Sequence, residues 1–317
     1  MKKNVVISSI VATVFAFGLY SWNIERVNNA QVNVIEPKNK VNKTKNIIKK
    51  KTSEPKKTKE KEPKIDSVEY SNHVKIAKGS QKTLANKIKS VMGIDNSYQV
   101  AVQDLTNSSK FVRVANTSKT HSAGSIMKMY ILIGLFEQEQ KGKIGSKTAI
   151  KISKSDQVSG EKALKTGMSY GVLYLRQAMM RGSKTAANAL IRKIGQSNID
   201  AVAKKLGANQ ITISKNFNKE PYGKITAADL TQTMVGVYQG RALNRIYASR
   251  FLTSLSTNST KTPLVKNLKS ASYSIGDDTS AVAIVQGRNH AYAVSIWSEN
   301  NKKFAELGET VYKYFAK

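Results

Sequence analysis

The longest apolar run in the chain is Val5 to Trp22, 18 residues in which serines at 8, 9 and 21 are the main interruptions, with Lys2 and Lys3 in front of it. That length is at the short end of what spans a bilayer and is longer than most cleavable signal cores. The leading lysines favour a cytoplasmic N-terminus. The pattern predicts a signal-anchor over residues 1–24 with everything after it outside the cell membrane. If the poor site at Asn28-Asn29-Ala30 were cleaved, the chain would be secreted instead.

After the anchor the apolar periodicity disappears until about residue 81. Residues 25–80 are dense in lysine, as in Lys49-Lys50-Lys51 and Lys56-Lys57-Thr58-Lys59, and carry Pro37, Pro55 and Pro63. A self-repelling, disordered linker is expected there. Periodicity then returns. Leu84, Ile88 and Val91 have helical spacing, and Gly93 provides a stop. Tyr98 to Gln103 and Phe111 to Val114 alternate like strands around the turn-forming Asn107-Ser108-Ser109. A long helical region is expected from Ser125 to about Arg192, with breaks near Gly142 and Gly160, and a further helix start at Thr226-Ala227-Ala228-Asp229. Ser280 to Val285 and Ala291 to Trp297 flank Gly287-Arg288-Asn289 as a second hairpin, and a helix closes the chain from about Lys302 to Phe315.

Helix, two strands, many helices, more strands and a final helix imply an α+β domain over residues 81–317. Its N- and C-terminal segments must share one antiparallel sheet, and the intervening helices form a second, all-helical lobe. A groove between two such lobes is a natural place for a site.

Charge changes the list of partners. The chain has 52 basic and 21 acidic residues, a net +31, of which residues 1–80 carry +10 (17 basic, 7 acidic) and the remainder +21. Outside a cell the available polyanions are wall polymers and anionic headgroups, so adhesion to the envelope is expected rather than nucleic-acid binding. Zero cysteines exclude disulfides and a thiolate nucleophile. The three histidines, His73, His121 and His290, form no metal-ligand spacing, and no Gly-x-Ser-x-Gly elbow is present. No metal or cofactor is expected.

A serine can also be activated by an adjacent lysine, and Ser125-Ile126-Met127-Lys128 has that form. Three residues apart on a helix, both side chains share a face, and a serine at the helix start lies where a developing oxyanion is stabilised. Gly124 would let a substrate approach closely. Ser53 to Lys56 and Ser159 to Lys162 match the same tetrapeptide, but only Ser125 opens an apolar run behind a hairpin.

With these residues the chain from about Gln81 resembles the class A β-lactamase and penicillin-binding-protein family, whose signature is Ser-x-x-Lys, then Ser-Asp-Asn, then Lys-Thr-Gly. Gly167-Met168-Ser169-Tyr170 is similar to the family's turn into the helix before its second motif, and Thr185-Ala186-Ala187-Asn188 to the sequence after that motif. Lys269-Ser270-Ala271 stands in the Lys-Thr-Gly place. The resemblance implies a β-lactamase-like fold, Ser125 as nucleophile, Lys128 as base, and an oxyanion hole from the N–H groups of Ser125 and Ser272. It also implies that Lys269 and Ser270 hold a substrate carboxylate.

The departures fall in the second and third motifs and in the deacylation loop. Gly182-Ser183-Lys184 replaces Ser-Asp-Asn, so the proton-passing serine is either absent or supplied by Ser183, and Lys184 replaces a substrate-binding asparagine. Ala271 adds a methyl where the family has glycine. Glu220-Pro221 resembles the family's deacylation loop, but only five residues separate Glu220 from the helix start at Thr226, so Glu220 is either the base for water or a turn carboxylate.

The expected function is therefore a monomeric, membrane-anchored serine acyl-hydrolase acting on β-lactams or peptidoglycan stem-peptide amides. The alternative is a non-catalytic module of the same fold that binds the anionic wall.

Overall fold

A computed structural model describes residues 73–256, 261–287 and 290–316. The apolar run Val5 to Trp22 and the linker up to residue 72 lie outside the described residues, as do Arg288 and Asn289 of the second hairpin. Among the described residues no helix is long and apolar enough to cross a membrane.

The main sheet has six strands in the order β1-β3-β2-β11-β10-β9, every neighbouring pair antiparallel. These are β1 (Lys75–Ile76), β2 (Tyr98–Asp104), β3 (Phe111–Ala115), β9 (Ser272–Gly276), β10 (Ser280–Gln286) and β11 (Ala291–Ser298). The centre joins the two chain ends, with Val100 opposite Ile296 and Val102 opposite Val294. β1 pairs Lys75 with Ala115, so the folded domain begins inside the segment expected to be linker.

Alternation along the strands feeds two cores. Ala281, Ala283, Val285, Val294 and Ile296 pack with Leu84 and Ile88 of α1 (Lys82–Met92) and with Phe304, Leu307 and Val311 of α8 (Phe304–Phe315). Val282, Ile284 and Ala293 face the opposite way, into the helical lobe. Both faces of the sheet are thus covered, and each fully buried Val, Leu or Ile contributes about 1.5–3 kcal/mol of hydrophobic free energy.

At the centre of the lobe is α2 (Lys128–Gln140), buried from Met129 through Gln138. A helix apolar on every side must be enclosed. α3 (Val172–Met180), α4 (Lys184–Ile194), α5 (Gln196–Lys205), α6 (Ala227–Tyr238) and α7 (Arg245–Ser256) supply the rest of the lobe. α6 starts as the sequence predicts, with Thr226 as cap accepting from the Asp229 N–H at 3.1 Å. Its Thr231 hydroxyl reaches Ala101 O at 3.2 Å and Ser295 Oγ at 2.7 Å, which ties the lobe to the sheet through satisfied buried polar groups.

One expectation is corrected. The region from Ser125 to Arg192 is not helical throughout, because β5 (Ala149–Lys151) and β6 (Ser169–Gly171) pair antiparallel between α2 and α3. Gly142, Gly160 and Gly167 have φ of 69°, 86° and 87°, backbone that ends a helix instead of merely bending it. Two more short strand segments, β7 (Thr212–Ile213) and β8 (Gly223–Ile225), complete a small sheet with β4 (His121–Ser122).

Candidate active site

Ser125 is delivered by a sharp entry into the central helix of the lobe. β4 pairs His121 with Ile225, Ala123 N donates to Gly223 O at 3.4 Å, and Gly124 at φ 44° turns the chain into a 3₁₀ segment, Gly124–Met127, that runs on into α2. Ile126 and Met127 are buried and anchor the turn, which leaves Ser125 and Lys128 half-exposed on its outer side. Beneath it His121 stacks on Trp297 with ring centroids 3.3 Å apart, and burial first, then Lys119 and Lys224, pushes its imidazole down to about 4.

Across from Ser125 is the turn between β9 and β10. The Ser125 N–H donates to Asp277 Oδ2 at 3.3 Å, and the Ser125 hydroxyl donates to Gly276 O at 3.4 Å. Asp277 Oδ1 accepts from Thr279 N at 3.0 Å, Thr279 Oγ1 at 2.9 Å and Ser280 N at 3.0 Å, and Asp277 N donates to Ser280 O at 2.8 Å. A side chain at Gly124 would run into the Asp277 carboxylate.

Lys128 follows Ser125 by three residues. Burial lowers its pKa, the Glu161 carboxylate opposes that effect, and Lys184 adds to it. Among the described residues its amine has no hydrogen bond or ion pair. A lysine so placed is neutral more of the time than one in water, and only the neutral amine can accept a proton.

Glu161 sits at the start of α4. Its oxygens accept from Ser183 Oγ at 2.8 Å, Lys184 N at 2.8 Å and Thr185 N at 3.0 Å. Burial pushes its carboxyl up, but these bonds prevail and hold it below the usual range. Ser183 is the N-cap of the helix and accepts from Ala186 N at 3.1 Å, so its hydroxyl is committed at both ends. Gly182 beside it has φ 118° and no side chain. Lys184 lies 5.6 Å from the Tyr222 ring, and its pKa is raised first by Tyr222 and more weakly by Glu220 and Glu161. Glu220 is exposed.

Lys128 therefore lies within electrostatic reach of Lys184 and of Glu161, which bonds Ser183, and Glu220 acts on Lys184 in turn. The structure does not bring Lys269, Ser270, Ala271 and Ser272 to Ser125. β9 meets Ser125 at its Gly276 end, whereas Ser270 Oγ bonds Tyr312 OH at 2.8 Å, Ala271 O accepts from Gln286 N at 2.9 Å, and Ser272 pairs with Val285. Four residue steps of extended chain separate Ser272 from Gly276, about 13 Å. Lys269-Ser270-Ala271, the lysine-led triplet expected to face Ser125, ends before β9 begins. In the structure the three residues leading to the serine are Ser274-Ile275-Gly276. Sequence reasoning missed Glu161 and Asp277 as site residues. Glu161 lies within the Ser159 to Lys162 match set aside as chance, and no local pattern reports a contact between residues 125 and 277.

A two-layered core around a six-stranded sheet, with serine and lysine at the head of the lobe's central helix, is the arrangement of the β-lactamase-like fold. The Beta-lactamase enzyme family model matches residues 82–315, and the chain belongs to that family. Among solved structures, PBP-A is similar with a TM-score of 0.66 at 17% identity, over 74% of this chain and 97% of that one. TLA-1 extended-spectrum β-lactamase gives 0.65 at 16%, over 74% and 99%. The β-lactamase of Sphaerobacter thermophilus gives 0.63 at 15%, over 74% and 97%. No curated protein sequence matches the chain. At these identities the likeness to solved structures establishes the fold.

Proposed function

We propose that Ser125 is an acylatable serine activated by Lys128, and that the chain reacts with β-lactams or peptidoglycan stem-peptide amides to give a long-lived acyl-enzyme. The observation that carries this reading is Lys128, one helical turn from Ser125, half-buried and with its ammonium disfavoured by that burial. Neutral Lys128 Nζ takes the hydroxyl proton as Ser125 Oγ bonds to the carbonyl carbon. The C–N bond then breaks, and Lys128 returns the proton to the departing nitrogen.

Slow deacylation follows from the carboxylates. Glu161 is held by the start of α4, Asp277 has Oδ1 fixed in its turn and Oδ2 on the Ser125 N–H, and Glu220 is exposed beside Lys184, so in this reading none holds a water against Ser125. A single-site variant of PBP-A, which shares the fold, is known as an acyl-enzyme with penicillin G, and that supports a penicillin as probe. In this reading Val5 to Trp22 anchors the chain in the membrane, and the lysine-rich linker holds the domain out in the wall. Fluorescent penicillin should label the wild type and not Ser125→Ala. An unlabelled wild type at saturating probe would sink the proposal.

A second reading is favoured by the carboxylate on the Ser125 N–H and by the third-motif residues lying at the far end of β9. It makes the chain a non-catalytic module of this fold that uses its +31 charge to hold anionic wall polymers. It predicts retention on polyanions that weakens steeply with salt and is unchanged in Ser125→Ala.

A further inference from the structure

Asp277 bonds to Ser125 at the backbone N–H that an acylating serine uses to hold the developing oxyanion. The two oxygens of its carboxylate differ. Oδ1 is fixed in the β9–β10 turn by Thr279 N, Thr279 Oγ1, Ser280 N and, at 3.3 Å, Ser280 Oγ. Oδ2 has a single bond, the 3.3 Å contact from Ser125 N. The strand side of the pocket is closed as well, since Asp277 N already donates to Ser280 O. Gly124 is the residue that makes this seat possible. With φ 44° and no Cβ, it leaves the space the carboxylate occupies.

A carbonyl oxygen gaining negative charge on Ser125 would find its donor engaged and a carboxylate in its place. Removing one oxyanion donor alone slows acyl transfer by about 10²–10³-fold, and a like charge in van der Waals contact adds to that. We propose that Asp277 is the specificity-determining residue of the Ser125 site, a built-in carboxylate that must leave the Ser125 N–H before an acyl donor can react. This rests on the reading of Ser125 as an acylatable serine. It makes the unmodified chain a slow acylator, selective for strained carbonyls such as β-lactams, whose reactivity compensates for the missing donor.

Asp277→Asn separates the two roles of the side chain. The amide oxygen keeps the Oδ1 bonds to Thr279 and Ser280, and the other position becomes an uncharged NH₂ that cannot accept from Ser125. Asp277→Gly removes the side chain altogether. Thr279→Ala loosens the same turn while keeping the carboxylate, and so serves as a control for turn mobility. The experiment is the second-order rate of labelling of the full chain by fluorescent penicillin in these variants, each with and without Ser125→Ala.

The expected result is at least a tenfold rise for Asp277→Asn and Asp277→Gly, none for Thr279→Ala, and no label wherever Ser125 is alanine. A labelled wild type with Asp277 variants no faster would overturn the role of Asp277 and leave the Ser125 reading standing. A rise for Thr279→Ala equal to that for Asp277→Asn would also overturn it, since turn mobility would then suffice. No labelling in any variant would overturn both.

Discussion

The backbone N–H groups at the start of α4 and the N–H of Ser125 each hold a carboxylate of the chain itself. At the start of α4, Glu161 takes two N–H groups and the Ser183 hydroxyl, all within 3.0 Å. At Ser125, Asp277 offers one oxygen at 3.3 Å while its other oxygen serves its own turn. The first is a helix cap, built into the stability of α4. The second is a single long bond that can be surrendered without unfolding anything. Position near Ser125 does not separate the two; the number of bonds each carboxylate makes to the N–H groups it covers does, two for Glu161 and one for Asp277.

Several substitutions would sharpen that contrast. Lys128→Met should have the largest effect, lowering the rate of Ser125 labelling by about 10²–10⁴-fold through loss of the base, measured by the appearance of the fluorescent adduct; a loss below tenfold would remove Lys128 from the chemistry. Glu161→Gln should destabilise the domain by about 1–2 kcal/mol, because charge-assisted bonds at a helix start become neutral ones. In a thermal melt that is a fall in Tm of roughly 2–8 °C for a domain of this size. Asp277→Asn should lower Tm by no more than Glu161→Gln does, since its turn bonds survive as neutral ones.

Glu161→Gln also has a kinetic signature. The Glu161 carboxylate raises the Lys128 pKa against the lowering effect of burial, so its removal should move the rising limb of the labelling rate to lower pH. An unshifted limb would mean the two groups are uncoupled.

A separate, pH-dependent effect on stability should come from His121. Its folded pKa of about 4 lies below the unfolded value of about 6.5. Its neutral form is the one that fits, so stability is complete above pH 6.5 and declines as pH falls toward 4. His121→Phe, which keeps a ring on Trp297, should reduce the difference between urea midpoints at pH 7 and pH 4.5.

The same contrast explains what was legible in the sequence. Periodicity located α1, β2, β3, β10, β11 and α8, because each buries a face whose spacing is written locally. The Thr226 cap and the Ser125-x-x-Lys128 pair were legible for the same reason, since their partners lie within one helical turn. The β5–β6 pair was not, because its strands are only three residues long and 18 residues apart. Nor was the identity of the strand residues facing Ser125, which depends on which end of β9 abuts the 3₁₀ turn. Lysine abundance made Lys269 a plausible choice, and only the register of β9 on β10 excludes it. Glu161 and Asp277 act over separations of about 20 and 150 residues, which composition and spacing do not report.

The most direct measurement is intact-mass spectrometry of the full chain over time after exposure to a penicillin, beside Ser125→Ala. Acylation at Ser125 predicts a mass increase equal to one penicillin, absent in the variant and decaying slowly because, in this reading, no carboxylate holds a water against Ser125. An unchanged mass at saturating penicillin would contradict it and leave the non-catalytic, wall-binding reading in its place.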